Sequence, residues 1–147
     1  EESKKKDGEI SLENTRILTD IETIIEYIKI MLPQCKTNVR LVIPDIDDLN
    51  KFEITTIIKE IPNKIRLNIA TKIDDPGGNE FVNEIKKYCQ LTNYFERKFI
   101  ALNIDSSIFL VGIFKGDNVI GIYTDILEII ELFKPAIMEP FVKGRRV

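Results

Sequence analysis

Histidine and tryptophan are both absent from the 147 residues. Without an imidazole there is no Ser-His-Asp or Cys-His catalysis, no H-E-x-x-H metal site and no Cys/His zinc site. The commonest general base near neutral pH is missing too, which leaves carboxylates and lysines for any acid–base work. Cysteine is scarce. Cys35 and Cys89 are the only two and neither lies in a C-x-x-C pair, so they read as reduced, part-buried thiols. No apolar run reaches the roughly 18 residues of a membrane span, and the charged N-terminus lacks a signal-peptide core, so a soluble, cytoplasmic protein is expected. The chain begins without Met, in keeping with a piece cut from a longer one. Glycine is sparse, and none of the G-x-x-x-x-G-K-[ST], G-x-G-x-x-G or G-x-S-x-G signatures occurs, so no nucleotide cofactor is expected. An excess of positive charge is also lacking. The net charge of −3 and pI near 5.2 disfavour general nucleic-acid binding.

What is present is apolar and patterned. At 44% hydrophobic residues, the chain can bury a core and form one domain. The expected division is a flexible polar tail over 1–13, a single α/β domain over 14–142 and a basic tail over 143–147. A helix is predicted to start at Asn14 or Thr19, with Thr19 and Glu22 as a capping box and Ile21, Ile24, Ile25 and Ile28 as its apolar stripe. Val39–Pro44 reads as a buried strand. Asp45–Ile61 reads as a helix with an acidic start, Ile65–Ala70 as a strand and Glu80–Leu91 as a helix. Lys98–Ile104, Ser107–Phe114 and Val119–Tyr123 read as three strands joined by short turns, hence antiparallel neighbours. Thr124-Asp125 would cap a last helix ending before Pro135. The order α-β-α-β-α-β-β-β-α predicts a mixed sheet flanked by helices.

The stretch from Arg97 to Gly112, "RKFIALNIDSSIFLVG", has the spacing of a catalytic signature. In the phospholipase D superfamily the signature runs His-x-Lys, four residues, Asp, six residues, then Gly-Ser-x-Asn. With Asp105 on the family Asp and Gly112 on the family Gly, Lys98 takes the place of the nucleophilic His and Ile100 that of the phosphate-binding Lys. Ile113 and Lys115 then replace the Ser and the Asn. Lys98 and Ile100 share one face of a strand, since side chains alternate. A lysine in the histidine position cannot supply phosphohistidine chemistry, and Ile100 removes a charge and a donor, so loss of phosphodiesterase activity is implied.

With the preceding alternation of helices and strands, this hairpin resembles one half of a phospholipase D-like fold, from about Thr15 to Phe141. "FIALNIDSSIFLVGIF" and "NVIGIYTD" ahead of a last helix resemble, more narrowly, the catalytically degenerate phospholipase D-like domain of archaeal TrmB-type transcriptional regulators. That resemblance implies an effector or dimerisation domain: a homodimer with a small-molecule effector, contacting DNA only through an upstream region. An inactive adaptor module binding a protein or an anionic membrane lipid is the alternative. Candidate ligand-binding residues are Lys98, Asp105 and Lys115, with Asp45, Asp74 and Asp75 at the rim, since α/β crevices form at the C-terminal ends of strands. Asp45–Asp48 and Asp74–Gly78 read as helix-start acids and a turn, not as metal sites.

Overall fold

The computed structural model describes residues 14–147 in full, with the backbone alone of Lys5–Lys6 and Glu9–Leu12. Ten strands form one sheet in the order β1-β2-β3-β9-β8-β7-β4-β5-β6-β10. Its centre is β4 (Asn38–Asp45), flanked by parallel β5 (Arg66–Lys72) and antiparallel β7 (Phe99–Ile104). β6 (Gln90–Asn93) continues the parallel half. On the other side β7, β8 (Ile108–Lys115) and β9 (Asn118–Thr124) form an antiparallel meander. β3 (Thr15–Leu18), β2 (Glu9–Leu12) and β1 (Lys5–Lys6) extend it beyond β9, and β10 (Arg145–Arg146) closes the opposite edge on β6. The mixed sheet predicted from the alternation is therefore present.

Alternation within the strands divides the apolar residues between two layers. Val39, Leu41 and Ile43 of β4 join the larger core, together with Ile100 and Leu102 of β7. That face is covered by α1 (Ile21–Met31), α2 (Asp48–Lys51), α3 (Thr55–Glu60) and α4 (Glu80–Ile85). Val42, Ala70, Ala101 and Phe109 point the other way, onto Ile130 and Ile137 of α5 (Leu127–Lys143). Coverage of β4 and β7 on both faces explains why they read as nearly continuous apolar runs.

Several boundaries differ from the sequence expectation. Thr15–Leu18 is a strand and not the start of a helix. It pairs with β9, where the Thr15 and Thr124 hydroxyls lie 2.8 Å apart. The cap of α1 is Asp20, whose carboxylate accepts the Thr23 N–H at 2.8 Å. The helix expected over Asp45–Ile61 is two short ones, broken where Glu53 takes φ 61°. The helix expected to reach Leu91 ends at Ile85, because Gln90–Asn93 gains a ladder beside β5. α5 runs on through Pro135. That proline is exposed, so water can satisfy the carbonyl that loses its helical donor.

Parts of both expected tails are paired into the sheet. Glu9–Leu12 pairs with β3, while residues 1–4, 7, 8 and 13 lie outside the described residues. Arg145 and Arg146 pair with Asn93 and Thr92. Gly144 makes that connection possible. A Cβ there would lie 2.5 Å from Thr92 Cγ2 and 2.6 Å from the Pro140 carbonyl oxygen.

Candidate functional site

Strand β7 runs between two chemically different ends. At its start, Lys98 and Ile100 face a cavity of about 530 Å³ at the C-terminal end of β4. The cavity is bounded by the first residues of α1, by α2 with Phe52, and by the β8–β9 turn. Its size is that of a small-molecule site. Ile100 is 1% exposed and forms part of the floor. The Lys98 ammonium lies 5.2 Å from the Phe114 ring centroid, and Lys51 sits 5.3 Å from that of Phe52. Each cation thus rests near an aromatic ring.

Asp48 supplies the opposite charge. It lines the same cavity, and its carboxylate accepts the Asp45 N–H at 3.2 Å. Burial raises its pKa, opposed by that hydrogen bond and by the charges of Lys51 and Lys98. Asp45 itself accepts the Asp47 N–H at 2.9 Å, so it shapes the turn that presents Asp48 and Lys51. The lining mixes apolar side chains such as Ile100, Phe52 and Phe114 with two lysines and the carboxylates of Asp20, Glu22, Asp48 and Asp117, an arrangement suited to a polar molecule carrying both donors and acceptors.

At the far end of β7, Asp105 does something else. Its carboxylate accepts the backbone N–H groups of Lys36, Thr37 and Asn38 at 2.9, 2.8 and 3.0 Å, and the Thr37 hydroxyl at 2.9 Å. Burial pushes its pKa up, but these donors together outweigh burial and hold it below the ordinary carboxylate value. Asp105 and Ser106 take φ of 53° and 58°, the left-handed geometry of a tight hairpin turn, which Asp tolerates. The loop before β4 is thereby tied to the β7–β8 turn. Seven residues of extended chain place Asp105 about 20 Å from Lys98. The two do not form an ion pair or share a site.

Gly112, the other anchor of the signature spacing, pairs with Ile100 across β7–β8 and with Gly121 across β8–β9. A Cβ on Gly112 would approach Ile24 Cδ1 to 3.0 Å. One on Gly121 would meet the same atom at 2.9 Å and the Val111 carbonyl oxygen at 3.0 Å. The two glycines make the groove in which Ile24 of α1 lies.

Of the six residues expected at the site, Lys98 lines the cavity and Asp45 supports it. Lys115 ends β8 opposite Asn118, beside the turn whose Asp117 and Asn118 line the mouth. Asp74 and Asp75 are not in the lining. Asp74 is 3.8 Å from Lys72, and Asp75 accepts the Gly78 N–H at 3.3 Å in the turn after β5. Sequence reasoning missed Asp48, Lys51, Phe52 and Phe114. The first three lie just after the Val39–Pro44 strand, where a crevice was expected, but nothing local distinguishes them from ordinary helix-surface residues.

No family model matches the chain, and no curated protein matches it by sequence. Solved structures do match, and they define the class: the chain has a phospholipase D-like fold. TrmBL2, an archaeal chromatin protein that binds DNA, superposes with a TM-score of 0.66 at 12% identity, over 93% of this chain and 54% of that one. This chain thus spans about half of that protein's length. NucT from Helicobacter pylori gives 0.62 at 14% identity, over 90% of this chain and 98% of that one. Nuc from Salmonella typhimurium, a phospholipase D family member, gives 0.56 at 10% identity over 90% and 97%. The likeness to TrmB-type proteins and to the phospholipase D family expected from the hairpin is therefore borne out at the level of fold.

Proposed function

We propose that this chain is a non-catalytic regulatory domain that senses a polar small molecule at the Lys98 cavity and acts as a homodimer. One observation carries the reading. Where the superfamily signature sets the attacking His and the phosphate-binding Lys, this chain has an ammonium beside Phe114 and a buried isoleucine, and they border an open cavity of about 530 Å³. A pocket without its nucleophile, lined by Lys51, Lys98 and Asp48, suits binding better than phosphodiester cleavage. The fold shared with TrmBL2 supports a place in a cytoplasmic transcriptional regulator whose DNA contacts are made by another region. Ile113 and Ile120, paired across β8–β9 and 61% and 51% exposed, support a contact between two copies.

Three measurements test the reading. Turnover of bis(p-nitrophenyl) phosphate by the wild type above a Lys98→Ala control would refute the non-catalytic assignment. In a thermal-shift screen of small polar metabolites, a stabilising compound is expected whose effect is lost in Lys98→Ala and Asp48→Asn. Sedimentation is expected to show a dimer that Ile113→Glu dissociates.

A further inference from the structure

At the opposite end of the parallel strands the charge pattern is reversed. A groove of about 590 Å³ runs along the N-terminal ends of β5 and β6, lined by Arg66, Lys86, Lys87 and Arg146 and by no carboxylate. A smaller hollow of about 300 Å³ continues it past Asn68 and Gln90 to Arg40, also without a carboxylate in its lining. None of these five cations makes an ion pair among the described residues. The nearby Glu84 is bound by Lys59 at 2.8 Å, and Lys87 adds a weaker attraction to it without forming an ion pair. Gathering so many like charges in one concavity raises the energy of the free protein, the more so in a chain whose total charge is −3.

The groove is also held in place. Gly144 lets α5 turn into β10, whose ladder on β6 carries Arg146 across the groove to a hydrogen bond with Gln90 Oε1. Asn63, Asn68 and Gln90 add amide groups to the same lining. Cations and amide donors gathered in one hollow, with Arg146 held on Gln90, match the several charged oxygens of a phosphate chain.

We infer that this groove is a second binding site, for a small soluble polyanion bearing two or more linked phosphates. Its concave form and limited volume favour a small ligand over an extended strand of nucleic acid, and the negative total charge repels a long polyanion. The shared chemistry is the phosphate chain, whether free or attached to a nucleoside.

Calorimetric titration of the full chain with tripolyphosphate, and separately with ATP, tests the inference. Saturable binding is expected, weakening with added salt. It should fall about tenfold or more in Arg66→Ser/Arg146→Ser and in Lys86→Ser/Lys87→Ser, and stay unchanged in Lys98→Ala. Equal affinity for the two compounds would assign the site to the phosphate chain alone, and tighter ATP binding to a nucleotide. Absence of binding to both, or binding that survives both double substitutions, would overturn the inference. So would tighter binding of a single-stranded oligonucleotide or of phosphatidylserine vesicles through the same four residues.

Discussion

Two aspartates near opposite ends of β7 show what the same side chain does in different surroundings. Asp105 accepts four hydrogen bonds and has a lowered pKa, so its charge is wanted by the fold. Asp48 is part-buried at the cavity with one backbone donor and a raised pKa, so its charge is held at some cost to the fold. A carboxylate that stabilises its own loop is structural. One whose charge burial disfavours, beside Lys51 and Lys98 in the lining of a cavity, is not accounted for by its own loop.

The comparison is broken most forcefully at Asp105. Asp105→Ala leaves three backbone N–H groups without their acceptor and is expected to lower unfolding free energy by about 2–3 kcal/mol, read by urea denaturation. Its pH signature follows from the lowered pKa. The stabilisation is complete above the unfolded carboxylate pKa of about 4 and is lost as pH falls through the folded value. Asp105→Asn should therefore differ from wild type at neutral pH and converge on it in strong acid.

Next in size is Gly121→Ala, expected to cost about 1–3 kcal/mol because its Cβ meets a backbone oxygen as well as Ile24. Gly112→Ala should cost less, since the tight contact there is with the end of the Ile24 side chain, which can shift. Asp48→Asn reverses the sign. An acid with a raised folded pKa penalises the folded state above that pKa and not below the unfolded one. The substitution should thus leave neutral-pH stability unchanged or raise it by up to about 1 kcal/mol, while weakening the ligand response. The smallest effect belongs to Lys98→Ala, within about 0.5–1 kcal/mol in stability, with its loss confined to ligand binding.

Residues near one another in sequence made part of this legible. The Ile21–Ile28 stripe marked α1, and three apolar runs separated by turn residues marked β7, β8 and β9. The spacing of Asp105 and Gly112 pointed to the right fold although neither residue lines the cavity. One ties a loop and the other admits Ile24, and those are requirements of the fold that outlast the loss of a nucleophile. The short ladders were hidden. Thr15–Leu18, Gln90–Asn93 and Arg145–Arg146 become strands because β9, β5 and β6 offer them unpaired edges.

The absence of histidine, read directly from the chain, fixes which chemistry the site cannot perform, because that depends on side-chain type alone. Periodicity over a few residues likewise settles the helical stripe and the central strands, since each is a local repeat of burial. Which charges meet depends on contacts between segments far apart in the chain. Packing brings Asp48, Lys51 and Lys98 to one cavity, sends Asp105 about 20 Å away, and gathers Arg40, Arg66, Lys86, Lys87 and Arg146 into two adjoining hollows of an otherwise acidic molecule.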